Sequence, residues 1–179
     1  NPDIRKKFEQ AWGVSLNPQI GLALTEMYDT KKNKGLKVMY LVGEDPVLSE
    51  PDMNHTIKTL QSLDFLVVQD IFLTETARYA HVILPAAGFG AEDGTYTNTE
   101  RRVQRVRKAV PPPGDAKPDW EIVCMVARKM GKKGFDFNSA SQIWNEMARL
   151  SPIFAGISYQ RLEKSSLQWP CPTLDHPGT

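Results

Sequence analysis

The chain has 179 residues, with 22 Lys and Arg against 21 Asp and Glu and a formal net charge of +1. That balance removes the electrostatic case for a nucleic-acid partner or a membrane contact, and the length suffices for one domain with a real core or for two small ones. The two cysteines, Cys124 and Cys171, are far apart, form no C-x-x-C and read as neither a disulfide framework nor a thiolate metal site, which suits a reducing, cytoplasmic compartment. No apolar run approaches membrane-spanning length and no signal-peptide pattern opens the sequence, which starts at Asn1 without Met and reads as a piece of something longer.

Asn1-Pro2-Asp3 is a helix start, with a cap residue, Pro in the first turn and an acid near the positive end of the dipole. Ile4, Phe8 and Trp12 recur every four residues and predict one apolar stripe ending at Gly13. Asn17-Pro18 repeats the opening and predicts a second helix whose buried face is Ile20, Leu24, Met27 and Tyr28. Lys31-Lys32-Asn33-Lys34-Gly35 reads as a solvated turn. Three apolar runs follow: Val38-Met39-Tyr40-Leu41-Val42, Phe65-Leu66-Val67-Val68 and Val82-Ile83-Leu84. They are short, rich in β-branched residues and not alternating, as expected for strands buried on both faces of a parallel sheet. Ser49-Glu50-Pro51-Asp52 caps a helix carrying Met53, Ile57 and Leu60, and Thr74-Glu75-Thr76-Ala77 opens a short one, so residues 37–85 form a βαβαβ unit. Right-handed crossovers bring the loops at Asp45 and Asp70 side by side beyond the carboxyl ends of the strands, where such sheets bind ligands.

From Ala86 the texture changes, with Gly88, Gly90 and Gly94 breaking the rhythm. Residues 95–98 and 102–106 read as two antiparallel strands, and Pro111-Pro112-Pro113-Gly114 as a stiff connector. Asp119 caps a helix with Ile122, Val123, Val126 and Met130 as its expected buried side and Gly131 as its stop. Ser139 or Ser141 opens another helix through Trp144, Met147 and Leu150. The tail 151–179 offers one short helix at 159–164 and then Pro170, Pro172 and Pro177, so it needs a surface to lie on. The expected fold class is α/β, a Rossmann-like parallel βαβαβ sheet flanked by helices, followed by a β-hairpin and C-terminal helices. The expected division puts an α/β lobe at 1–88 and the hairpin with its helices at 89–179.

Asp45 and Asp70 stand where an open α/β sheet meets its ligand, and a carboxylate there accepts hydrogen bonds from ribose hydroxyls or a guanine N–H edge. The competing structural reading is a turn with Pro46 for Asp45 and a helix cap for Asp70, and residue spacing leaves both open. No G-x-G-x-x-G follows the first strand and no G-x-x-x-x-G-K-[ST] occurs, which argues against ordinary dinucleotide binding and phosphoryl transfer. His55, His81 and His176 lack metal-ligand spacing and read as surface or structural residues. Glu92-Asp93 reads as a solvated turn, and the cations Arg101, Arg102, Arg105, Arg107 and Lys108 as mostly solvated charge on a strand edge. No nucleophile–base–acid triad assembles, so no catalytic residue and no metal ligand is assigned.

Motif order adds what spacing leaves open. Met39-Tyr40-Leu41-Val42-Gly43-Glu44-Asp45-Pro46, then Val67-Val68-Gln69-Asp70-Ile71-Phe72, then Thr76-Ala77 and Ala80 to Pro85, resembles the molybdopterin oxidoreductases. The segment from Glu92 to Gln104 looks like that family's glycine-then-"N-x-E-x-R-x-Q" stretch, with Asp119-Trp120 following. Gln142-Ile143-Trp144 and Gln168-Trp169-Pro170-Cys171-Pro172 bring the resemblance closest to the formate dehydrogenase alpha (catalytic) subunit. The resemblance implies a pocket for one guanosine end of a molybdopterin guanine dinucleotide carrying Mo or W. Asp45, Ser49, Gln69, Asp70 and Asp119 match its cofactor-contacting positions, with helix capping as the alternative for Ser49 and Asp119. Glu92 departs from the basic or neutral residue of the family and is assigned no contact. The iron–sulfur (4Fe-4S) cysteines and the reacting Cys or selenocysteine, His and Arg would lie elsewhere in the subunit. The implied partners are the remainder of the alpha subunit, electron-transfer subunits or another acceptor, and formate as substrate. Surface that meets missing lobes would favour self-association. The alternatives are a nitrate reductase or other molybdopterin enzyme, and, from another class, a non-catalytic nucleotide-binding or interaction module on the same sheet.

Overall fold

In chain order the helices are α1 (Pro2–Trp12), α2 (Leu24–Tyr28), α3 (Pro46–Ser49), α4 (Met53–Gln61), α5 (Asp119–Lys129), α6 (Ala140–Leu150) and α7 (Tyr159–Leu162). The strands are β1 (Val38–Val42), β2 (Phe65–Asp70), β3 (Val82–Pro85), β4 (Gly94–Thr97), β5 (Arg102–Val106) and β6 (Leu167–Gln168). The structure is a computed structural model that describes every residue except Thr30 and Lys34. The chain divides into two compact units, one of residues 19–88 and 112–122 and one of 1–18, 89–111 and 123–179. A boundary at Gly88 therefore separates the parallel sheet from the hairpin, while 1–18 and 112–122 each group with the unit on the other side of it.

In the first unit the three apolar runs pair in parallel in the order β1-β2-β3, with Val42 opposite Gln69 and Asp70 opposite Pro85. The side-chain period of two then sorts them. Met39, Leu66 and Val68 face Tyr28, Val47, Leu60, Leu63 and Ala77 in one core. Burial of an aliphatic side chain of this size contributes about 2 kcal/mol. The other face is open over much of its length, with Val38 57 %, Tyr40 39 % and Phe65 41 % exposed, and is covered at Gln69, which is fully buried. Burial on both faces, expected from continuous apolar runs, is thus corrected: the apolar core from the helices lies on one side, and the other is covered only in part. Asp52 caps α4 by accepting from the His55 N–H at 2.9 Å, as the Ser-Glu-Pro-Asp string implies.

The second helix is corrected too. It begins only at Leu24, where the Ala23 N–H donates to Glu26 Oε2 at 2.9 Å, and Ile20 and Leu24 are exposed. Gly21 opposes an earlier start, since glycine costs about 1 kcal/mol against alanine within a helix. In the following turn Lys31 and Lys32 are exposed, but Asn33 is buried, its Nδ2 donating to the Met27 carbonyl at 3.1 Å. The expectation for Lys34 lies outside the described residues.

The second unit opens with α1, capped by Asn1 Oδ1 accepting from the Asp3 N–H at 2.9 Å and closed by Gly13 at φ 64°. Lys7 Nζ donates to the Arg149 carbonyl at 2.7 Å and Trp12 Nε1 to Glu146 at 2.8 Å, tying α1 to α6. The hairpin forms as expected, but β6 adds a third strand in the order β4-β5-β6. The tail thus finds its surface: Leu162, Leu167 and Cys171 join Val103, Trp144 and Ile157 in one core.

Because β5 is central, its charges are not edge charges. Arg105 is largely but not fully buried, paired with Asp93 at 3.7 Å and Glu163 at 3.0 Å, donating to the Gly94 carbonyl at 2.7 Å and standing 4.3 Å over the Tyr159 ring. Glu92 is buried and accepts from the Tyr96 hydroxyl at 3.0 Å, so the solvated-turn expectation fails there. In α5 the buried residues are Ile122 and Cys124, whereas Val123 and Met130 are exposed. Five consecutive apolar residues, 122–126, offer more than one stripe, and periodicity does not choose between them. Among the described residues no helix is long and apolar enough to cross a membrane.

Candidate functional site at the carboxyl edge of the parallel sheet

β1 ends in Gly43, whose φ of 64° turns the chain and whose N–H donates to the Gln69 carbonyl at 2.9 Å. Asp45 follows at the N-cap position of α3 but makes no side-chain cap bond. Its carboxylate instead reaches the connection between β2 and β3, accepting from the Thr76 N–H at 3.0 Å, the Thr76 hydroxyl at 2.5 Å and the Glu75 N–H at 3.3 Å. Ser49, the last residue of α3, is exposed. Asp70 is half-buried, and its Oδ1 accepts from the Phe72 N–H at 3.2 Å, which makes it a turn residue rather than a helix cap.

Gln69 is fully buried. The Tyr40 hydroxyl donates to its Oε1, and its Nε2 donates to Asp119 Oδ1 at 2.5 Å. Asp119 arrives from 50 residues downstream because the chain returns beside the end of β3. The Lys117 N–H donates to the Pro85 carbonyl at 3.2 Å and the Ala87 N–H to the Lys117 carbonyl at 2.8 Å, so α5 starts at the same edge. Burial first, and the Asp119 charge second, push the Tyr40 hydroxyl above its usual pKa, so it keeps its proton at neutral pH and donates.

The edge thus brings Asp45, Gln69, Asp70 and Asp119 from three segments that are separate in sequence, with Ser49 exposed at the end of α3. Sequence reading missed Tyr40, which bonds to Gln69, and Thr76, which bonds to Asp45. The signal for Tyr40 was available: parallel register puts residues 40 and 42 on the same face as 67 and 69. The histidines stay outside. His81 Nδ1 accepts from the Leu66 N–H at 3.0 Å, and His176 Nδ1 from the Gly178 N–H at 3.1 Å. Among the described residues no group of three or more His, Cys, Asp or Glu is placed to hold a metal ion. What the edge does offer is a buried amide and several carboxylates, hydrogen-bonding chemistry suited to a polar ligand.

A family model, "Molybdopterin oxidoreductase", matches residues 9–129, a stretch that contains all five residues. The chain belongs to the molybdopterin oxidoreductase family. It is 50 % identical over 178 residues to the F420-dependent formate dehydrogenase subunit alpha of Methanocaldococcus jannaschii, covering 99 % of this chain and 26 % of that protein. To the F420-dependent formate dehydrogenase 2 subunit alpha of Methanococcus maripaludis it is 52 % identical, covering 97 % of this chain and 26 % of that one. The chain spans about a quarter of the length of these curated relatives. Among solved structures it is similar to acetylene hydratase from Pelobacter acetylenicus, with a TM-score of 0.63 and 21 % identity over 90 % of this chain and 23 % of that one. That last likeness concerns the fold alone. It agrees with an α/β framework carrying an antiparallel sheet and helices.

Proposed function

We propose that this chain is the part of a formate dehydrogenase alpha subunit that holds one guanosine end of a molybdopterin guanine dinucleotide. The observation that carries the reading is the Gln69–Asp119 pair, joined at 2.5 Å at the carboxyl edge of the parallel sheet. Its acceptor fits a guanine edge. The half-buried Asp119 carboxylate suits the guanine ring N–H and exocyclic amine, and the fully buried Gln69 amide orients that carboxylate through the Nε2 bond. Asp45, Ser49 and Asp70 add carboxylate and hydroxyl groups at the same edge, suited to ribose hydroxyls and phosphate oxygens. Within this set Asp45 also fixes the loop that carries Ser49, through its bonds to Thr76.

Bound to the whole subunit, the cofactor supplies the metal centre, molybdenum or tungsten, that takes two electrons from formate as carbon dioxide forms. The reacting side chains and a 4Fe-4S cluster belong to the rest of the subunit, and an electron-transfer subunit or another acceptor takes the electrons onward. The formate dehydrogenase relatives, at 50 % and 52 % identity, support formate over nitrate as substrate. Cys124 and Cys171 are buried and form no disulfide, which suits a reducing, cytoplasmic setting.

The test is calorimetric titration of the chain with GDP, standing in for the guanosine end, and with ADP. GDP is expected to bind the more tightly, and Asp119→Ala to abolish the preference. Equal binding of the two nucleotides, or a preference that survives Asp119→Ala, would sink the reading.

A further inference from the structure

The turn after β2 carries Ile71, Phe72 and Leu73, each more than half exposed, between two fully buried residues, Gln69 and Thr76. We infer that this apolar turn is a docking surface for the remainder of the alpha subunit, which covers it on reaching the part of the cofactor that this chain does not hold. The inference rests on the guanosine-binding reading above.

The turn is fixed at both ends. Asp70 Oδ1 accepts from the Phe72 N–H at 3.2 Å, and on the far side the Thr76 N–H and hydroxyl donate to Asp45 at 3.0 and 2.5 Å. Hydrogen-bonded backbone therefore presents the three side chains at the carboxyl edge of the sheet. No charged residue lies between Asp70 and Glu75, so the segment has none of the ionic groups that keep an exposed surface in water. Val42, opposite Gln69 in the register, adds an exposed apolar side chain at the same edge. Consecutive large apolar side chains held out on ordered backbone mark a surface that another part of a protein covers.

Two observations choose the occupant. The curated relatives extend well beyond the stretch they share with this chain, which covers 26 % of each, so about three quarters of such a subunit remains to meet the turn. The position of the turn is the second. It directly follows Gln69 and Asp70, at the edge assigned to the guanosine end. The cofactor is one covalent molecule, so the part of the subunit that holds its other end has to approach this same edge. A separate electron-transfer subunit is under no such constraint, because electrons reach it from the metal end.

Hydroxyl-radical footprinting with mass spectrometry reads the solvent access of these side chains without altering them. Oxidation of residues 71–73 is compared in the dilute isolated chain, in the whole alpha subunit alone, and in that subunit with its electron-transfer partner, each relative to the same protein unfolded. Rapid oxidation in the isolated chain that slows several-fold in the alpha subunit alone is the expected result. Oxidation that stays rapid in the alpha subunit, or slows only when the electron-transfer partner is added, overturns the inference. So does slow oxidation in the dilute isolated chain, which would mean that the chain covers its own turn. An unprotected turn on a chain that still prefers GDP over ADP overturns the docking surface and leaves the guanosine reading standing, whereas loss of that preference overturns the guanosine reading whatever the footprint.

Discussion

The Thr76 hydroxyl donates to Asp45 Oδ1 at 2.5 Å and accepts from the Val47 N–H at 3.1 Å, so one buried side chain joins the loop after β1 to the connection after β2. This explains why Asp45 leaves its own helix uncapped: its carboxylate holds two loops in register at the ligand edge. Thr76→Val keeps the shape and removes both bonds. It is expected to cost about 2 kcal/mol, read from the midpoint of urea unfolding, because the part-buried Asp45 Oδ1 loses one of its two donors and the Val47 N–H loses its acceptor. Thr76→Ser, which retains the hydroxyl, should recover most of that loss.

Arg105 plays the corresponding part in the other unit. It meets Asp93, Glu163, the Gly94 carbonyl and the Tyr159 ring at once. Arg105→Ala is expected to destabilise the chain by about 2 kcal/mol, the scale of the lost charge-assisted hydrogen bond to the Gly94 carbonyl and the ring contact, since the exposed Asp93 and Glu163 carboxylates are screened by solvent and add little. Arg105→Lys should fail to rescue, since a single ammonium cannot replace the planar fork that reaches three acceptors and stacks on a ring. Hydrogen bonds from Arg105 and then Arg107 hold the Glu163 carboxyl below its usual pKa. A depressed folded-state value stabilises above the usual carboxylate range and is lost as pH falls through the folded value. The stability gap between wild type and Glu163→Gln should therefore close on acidification, as thermal melts across the acid range would report.

Tyr28 predicts an alkaline signature. Burial, then the charges of Glu50 and Glu44, push its hydroxyl from 10.0 up to about 12. A raised folded-state value means that the neutral hydroxyl favours the folded chain fully below the ordinary tyrosine range, and that this support is lost as pH rises toward the folded value. Absorbance at the tyrosinate band should show one tyrosine ionising only near the top of the titration, and Tyr28→Phe should remove that step.

The open sheet face and the loop that follows β2 predict self-association of the isolated chain. Ile71, Phe72 and Leu73 are 51 %, 72 % and 81 % exposed in succession, next to exposed Val42 at the same edge. Sedimentation velocity should show concentration-dependent mass, and Phe72→Ser with Leu73→Ser should reduce it. A strictly monomeric wild-type chain at high concentration would contradict this.

Local chemistry made much of the fold legible. The three β-branched runs, the Asn1 and Asp52 caps and the Gly13 and Gly131 stops depend on a few neighbouring residues, and each falls where the residues predict. Asp45 and Asp70 were legible as residues of the sheet's carboxyl edge because each ends or closely follows a strand, whereas Gln69 was singled out only by the family resemblance. What the tertiary structure alone decided concerns partners distant in sequence. Periodicity does not show that one sheet face is covered throughout and the other only in part, because an apolar run looks the same whether or not a second layer packs on it. It does not show that β6 pairs with β5 at Arg102 and Val103, or that Asp93, Glu163 and Tyr159 gather around Arg105. Nor does it bring Asp119 to Gln69 or set Tyr40 as the donor behind them, since those bonds depend on parallel register and on the returning strand at Lys117.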